Sequence, residues 1–85
     1  MEEDLAVPSI HLNGTSRSEL VMQIYNAVRA LENAGNMLQK AAPHSRDYYV
    51  QNIGNFSKAQ QQHLSRMLRL GSIQTELMEI WEKLT

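Results

Sequence analysis

The densest group of chemically active side chains lies in residues 43–49. These positions supply an imidazole, a hydroxyl, a guanidinium, a carboxylate and two phenols, from His44, Ser45, Arg46, Asp47, Tyr48 and Tyr49. The planar fork of Arg46 suits a phosphate or carboxylate, and Tyr48 or Tyr49 offers a flat face on which a base can stack. A local alternative stays open, in which Arg46 pairs with Asp47 or caps a helix end and one tyrosine plugs the end of a helical hairpin.

A second candidate group follows at helical spacing. His63 and Arg66 share a face of a helix, and Arg66 and Arg69 share the next turn. Several copies related by symmetry would bring these side chains together around an anion. The alternative for each arginine is an ion pair with Glu19 or Glu32 of the preceding helix.

Catalytic patterns are missing from the sequence. It has no Cys, its three His are scattered, and it contains no glycine-rich phosphate loop. Carboxylates cluster only near the two ends, away from any acid-base partner. We therefore expect a protein that is not an enzyme, with no catalytic residue, no metal and no cofactor.

Charge is distributed unevenly along the 85 residues, although the net charge is only −1. Residues 40–69 contain one acid, Asp47, and five bases: Lys40, Arg46, Lys58, Arg66 and Arg69. This excess of positive charge indicates either a solvated basic face or an anion site. A DNA-reading helix-turn-helix at residues 60–69 is disfavoured, because the stretch reads as one long helix and the chain is not basic overall.

Two long helical patterns position these groups. Residues 16–19 form a capping box, Ser-Arg-Ser-Glu, which starts a helix predicted over residues 16–42. Its apolar positions follow a heptad-like seam: Leu20, Ile24, Ala27, Leu31, Ala34, Leu38 and Ala41. The small residues Ala27 and Ala34 predict a close approach of the partner helix, and Gly35 marks either a close crossing or a harmless exposed position. Pro43 ends this helix near residue 41 or 42.

After a hinge at residues 43–50, a second helix is predicted over residues 51–84. The start of the chain is predicted to be a flexible arm at residues 1–8 and an extended segment at residues 9–14, which ends in the turn dipeptide Asn13-Gly14. The sequence thus predicts a single all-α domain, a two-helix antiparallel hairpin with a short extended N-terminal segment.

Apolar side chains on the second helix cover more than one face. In a hairpin turning at residues 43–50, this helix overhangs the first one, and the overhang contains Leu77, Ile80, Trp81 and Leu84. We expect that patch to form a contact between copies or to pack against the segment of Ile10 and Leu12, because a single pair of helices would leave it exposed to solvent. The prediction is a homo-oligomeric bundle.

The N-terminus lacks the basic start and apolar run of a signal peptide, and no apolar run approaches the about 20 residues of a membrane span. The absence of Cys suits a reducing compartment. These features favour a cytoplasmic protein without a membrane partner.

Residues 10–15, Ile-His-Leu-Asn-Gly-Thr, and residues 42–51, Ala-Pro-His-Ser-Arg-Asp-Tyr-Tyr-Val-Gln, resemble a group of short phage and prophage proteins. The resemblance covers residues 9 to about 80, and it implies a capped helix, the same hinge, and a second helix with a His and an Arg. It transfers no particular activity.

Small phage proteins of this size often counter host defence by occluding a host protein or by sequestering a nucleotide signal in a symmetric oligomer. By that analogy we expect a sponge, meaning a protein that binds and sequesters a nucleotide signal. Arg46 would bind phosphate and Tyr48 or Tyr49 would stack on a base. Additional positive charge would come from His63, Arg66 or Arg69. The alternative is an inhibitor that binds a host defence protein through its helical surface.

Overall fold

The computed structural model describes residues 4–85. Two α-helices, α1 (Arg17–Lys40) and α2 (Asn55–Leu84), pack against each other, and a 3₁₀ turn (Ser45–Asp47) lies in the linker between them. Residues 4–85 contain no β-strand. The prediction of an all-α chain built on a helical hairpin is confirmed. Residues 1–3 of the predicted arm lie outside the described part.

Helix α1 begins and ends where local sequence signals place its ends. Ser16 has an extended backbone, and its hydroxyl accepts a hydrogen bond of 3.2 Å from the backbone N–H of Glu19. This bond satisfies one of the donors that the first turn leaves free. At the other end, Ala41 and Ala42 donate to Leu38 and Gln39, and Pro43 stops further propagation.

The register between the helices follows from two contacts. A Cβ atom built on Gly35 would lie 3.6 Å from a terminal methyl group of Leu70, and Val28 lines a groove together with Met78 and Trp81. The helices are therefore antiparallel. Gly35, rather than Ala34, occupies the contact position, and Ala34 is exposed. The stripe keeps heptad spacing at Ile24, Leu31 and Leu38, and between them Val28 and Gly35 face α2.

The predicted overhang at the end of α2 is wrong. Leu84 is only 3% exposed, and Leu77, Ile80 and Trp81 are half-buried within their own chain. The register places the end of α2 beside the start of α1, and the spare length of α2 lies at residues 55–64, beyond the last turn of α1. The linker spans residues 41–54 instead of 43–50, and it packs back on the first turn of α2 through Tyr48 and Phe56, so that the start of α2 extends beyond α1.

The N-terminal segment also departs from the prediction. A turn at residues 11–14 is present, with the Gly14 N–H donating to the His11 carbonyl at 3.1 Å. However, Leu12 is 98% exposed and Ile10 is exposed as well, so neither covers the end of α2. Leu5 and Val7 are half-buried instead.

Little of the hairpin is core. Val28 and Leu84 are the buried hydrophobic residues of the described chain. The accessible surface is 6943 Å², whereas a compact monomer of 9.7 kDa exposes about 5,100 Å². The radius of gyration is 18.3 Å, against about 12 Å for a compact domain of this length. A single hairpin thus leaves much apolar surface in water.

Truncation of Leu84 tests the position of the end of α2. Leu84→Ala should lower the free energy of unfolding by about 2–4 kcal/mol, because it empties a packed position. The matched change Leu12→Ala, at an exposed leucine, should alter it by less than about 0.5 kcal/mol. Urea unfolding followed by circular dichroism measures both. Equal effects would contradict the packing of Leu84.

Candidate anion-binding site at the linker

Backbone hydrogen bonds give the linker a defined shape. The imidazole Nδ1 of His44 accepts from the Arg46 N–H at 3.2 Å, and the N–H groups of Asp47 and Tyr48 donate to the carbonyls of His44 and Ser45 at 3.0 Å. His44 therefore caps the 3₁₀ turn in the way that Asn or Asp caps a helix. The side chains of residues 46–49 project from an ordered turn.

Tyr48 anchors the linker to α2. Its ring centroid lies 5.9 Å from that of Phe56, with the ring planes tilted by 39°, and both side chains are half-buried. This geometry is an ordinary attractive aromatic pair. Tyr48 therefore takes the role of the tyrosine that plugs the end of the hairpin, and Tyr49, 80% exposed, keeps free faces.

Arg46 is exposed and uncommitted. Within residues 4–85 its guanidinium makes no hydrogen bond and no ion pair, and its neighbour Asp47 makes no ion pair either. The local alternative of an Arg46–Asp47 pair is absent from this structure. The five N–H donors of the guanidinium are available to a ligand.

Two shallow grooves run beside the linker. The first, of about 280 Å³, is mostly apolar and includes Tyr48, Tyr49, Ile53 and Phe56. The second, of about 290 Å³, is polar, and it is lined by Tyr48, Gln51, Asn55, Lys58, Ala59 and Gln62. Asn55 Nδ2 donates to Gln51 Oε1 at 3.0 Å inside this second groove.

The amide and ammonium groups of the second groove were missed at the sequence level. A signal existed, because Asn55, Lys58 and Gln62 are spaced by three and four residues and share one helix face. The later start of α2, after Gly54 at a φ of 99°, is what brings that face under the linker.

The predicted cations on α2 form a separate group. His63 is half-buried on the stripe that faces the rest of the chain, while Arg66 and Arg69 are exposed. Arg69 donates to the Ser65 carbonyl at 3.3 Å, and neither arginine pairs with Glu19 or Glu32. Arg66 lies ten residues, about 15 Å, along the helix from Phe56. One chain therefore does not gather all six predicted ligand residues into one pocket.

Electrostatics favour an anion at the linker end of the hairpin. The first turn of α2 contains no acidic residue and no side-chain cap, so the partial positive charge of the helix N-terminus is not offset there. Lys58 adds a full charge in the same turn, and Arg46 adds another on the linker. The acids of α2, namely Glu76, Glu79 and Glu82, lie at its far end.

Comparison of the chain with protein-family models, curated proteins and solved structures finds no match. The phage resemblance therefore stays a prediction. Neither helix is long and apolar enough to cross a membrane. In residues 4–85 no group of three or more His, Asp or Glu side chains is arranged to hold a metal ion.

Alanine substitution should distinguish the structural roles of Tyr48 and Tyr49. Tyr48→Ala removes the contact with Phe56 and should lower the free energy of unfolding by about 1–3 kcal/mol, with faster proteolysis within residues 41–54. Tyr49→Ala should leave both nearly unchanged. Urea unfolding and limited proteolysis provide the readouts, and similar losses for both variants would argue against Tyr48 as the anchor.

Proposed function

We propose that this protein is a non-catalytic phage counter-defence protein of the bacterial cytoplasm, which binds and sequesters a nucleotide immune signal as a homo-oligomer. The observation that carries the proposal is the exposed pair Arg46 and Tyr49 on an ordered turn. One offers an unneutralised guanidinium and the other an open aromatic face. A phosphate and a base are the two parts of a nucleotide that such groups bind.

Assembly is supported by the surface that a single hairpin leaves exposed. The excess over a compact monomer, about 1,800 Å², is comparable to the area that stable protein interfaces bury. On α1 the exposed residues Ala30, Ala34 and Met37 follow each other at spacings of four and three, on the side away from Arg29 and Glu32.

The corresponding side of α2 contains Ile73 together with Arg66 and Arg69, which lie three and four residues apart. Contact between copies through this face would bring arginines of neighbouring chains close to one another. Like charges held together need an anion to offset them, so an oligomer of this kind favours a phosphate-bearing ligand. This face replaces the end of α2 as the proposed interface.

Calorimetric titration with cyclic dinucleotides, cyclic trinucleotides and ADP-ribose derivatives tests the ligand. We expect saturable binding to at least one of them, weakened about tenfold or more by Arg46→Ala, since a charge-assisted contact to phosphate is lost. Tyr49→Ala should weaken binding by a similar factor through lost stacking. Arg17→Ala, at an exposed arginine near the opposite end, is the control. No heat with any of these nucleotides would contradict the proposal.

Size-exclusion chromatography with light scattering tests assembly. The expected mass is a multiple of 9.7 kDa, reduced by Met37→Lys, because a further positive charge on the face of Arg66 and Arg69 disfavours the interface. Asn36→Lys, one residue away on another face of α1, should leave the mass unchanged. A monomer that still binds nucleotide would remove the shared arrangement of Arg66 and Arg69 while keeping the linker site.

A second candidate function, inhibition of a host defence protein, is favoured by one feature. Tyr49, Val50 and Ile53 are among the most exposed hydrophobic residues of the chain, and they stand together on the linker tip. Exposed apolar clusters of this kind mark protein contacts. An inhibitor should retain a host defence protein from lysate, lose it on Ile53→Asp, and show no response to nucleotides.

A further inference from the structure

A third groove lies between the middle of α1 and the last turns of α2, away from the linker. Its volume is about 290 Å³, and its lining residues are Tyr25, Val28, Arg29, Glu32, Met78 and Trp81. The floor is apolar, because Val28 is buried and Trp81 is half-buried. The rim is polar. This combination of an apolar floor and a few polar groups is characteristic of small-molecule sites.

The indole of Trp81 has an unsatisfied donor. Its Nε1 is enclosed by the protein and has no hydrogen-bond partner among the described residues. A buried N–H group without an acceptor costs about 1–3 kcal/mol, and buried tryptophan N–H groups usually find a partner. Because this atom is not accessible to solvent, an acceptor from outside the hairpin reaches it only if the Trp81 ring turns toward the groove.

The rim is an ordered set of charged and polar groups on one face of α1. Arg29 Nη1 donates to the Tyr25 hydroxyl at 3.0 Å, and its guanidinium carbon lies 5.8 Å from the centre of the Tyr25 ring. Arg29 Nε lies 3.6 Å from a Glu32 carboxylate oxygen. The pKa of the Arg29 guanidinium is raised, mainly by the hydrogen bond with Tyr25 and to a lesser extent by the charge of Glu32.

Tyr25 still has its own hydroxyl proton to donate, because it acts as the acceptor in the bond with Arg29. The remaining donors of the guanidinium are also free, since only two of its nitrogens are engaged. Donors therefore outnumber acceptors around the groove, with Glu32 as the one carboxylate on the rim. A ligand that complements this groove therefore has a hydrogen-bond acceptor attached to an apolar group.

We propose that this groove binds a small planar organic anion, such as an aromatic carboxylate, with its ring against Val28, Met78 and Trp81 and its carboxylate toward Arg29. The site is independent of the linker site and does not rest on the nucleotide proposal. Flat rings suit the narrow cleft between two helices, and the carboxylate supplies acceptors for the free donors of Arg29 and for the Tyr25 hydroxyl. Glu32 opposes the ligand, since it competes for Arg29 and repels the incoming charge.

The chain contains one tryptophan, so its indole N–H gives one signal in a ¹H–¹⁵N correlation spectrum. Titration of the full chain with 2-naphthoate should shift that signal saturably, with a Kd on the order of 1 mM for a ligand of this size. The neutral isostere 2-naphthamide should bind several-fold more weakly.

Two exposed substitutions should act in opposite directions. Arg29→Gln should weaken 2-naphthoate about three- to tenfold, and Glu32→Gln should strengthen it about two- to threefold. Leu12→Ala, at an exposed residue outside the groove, should leave the affinity unchanged. Backbone signals of each variant verify that it is folded. An indole signal that does not saturate by roughly 10 mM, or equal affinity of the parent chain and the folded Arg29→Gln variant, would overturn the assignment.

Discussion

The contact between α1 and α2 is the constraint on which the rest of this structure depends. The two helices supply one stripe each, and their register is marked by Gly35 beside Leu70 and by Val28 near Trp81. A layer of only two helices covers one side of each helix and leaves the other sides in water. That geometry explains why so few side chains are buried, although the pattern of apolar residues is strongly helical.

The same register decides where the extra length of α2 is placed. Because Gly35 lies beside Leu70 in an antiparallel pair, the end of α1 lies level with about residue 64, and residues 55–64 extend past α1 at the linker end. The linker then packs back on this extension through Tyr48 and Phe56. A short turn between equal helices would have left Arg46 and Tyr49 without a supporting surface. The spare helix therefore acts as the scaffold of the candidate site.

Local signals were enough to predict the elements, and non-local packing was not predictable in the same way. Ser16 and Pro43 mark the ends of α1 through hydrogen bonding and backbone sterics, which involve only neighbouring residues. Whether Gly35 or Ala34 contacts α2 depends on how α1 is rotated against its partner helix. Two polar residues, His63 and Gln74, share the half-buried stripe of α2 with apolar ones, so the pattern did not reveal its register.

The candidate site was predicted in part for the same reason. Arg46 and Tyr49 can be predicted from the sequence, because both lie within six residues of the helix-breaking Pro43 in a dense group of reactive side chains. Lys58 and Gln62 were missed because they join the site only after the linker folds onto α2. The sequence pattern predicts Trp81 on an exposed overhang, whereas in the structure Trp81 is half-buried and faces α1. Each error traces to the length of the linker, which no single residue type encodes.

Separation of the cationic groups is the remaining consequence of this architecture. In one chain the linker packs on Phe56, and Arg66 lies ten residues, almost three helical turns, further along α2. A rigid helix cannot bend to close that distance. In the proposed homo-oligomer, neighbouring copies would be free of that limit, because a symmetric contact would place residues of different chains side by side. Met37 and Ile73 are exposed on the same face as Arg66 and Arg69, whereas Leu64 and Leu68 are exposed on the opposite side of α2. Burial of apolar area and concentration of positive charge would therefore be achieved by a single association step.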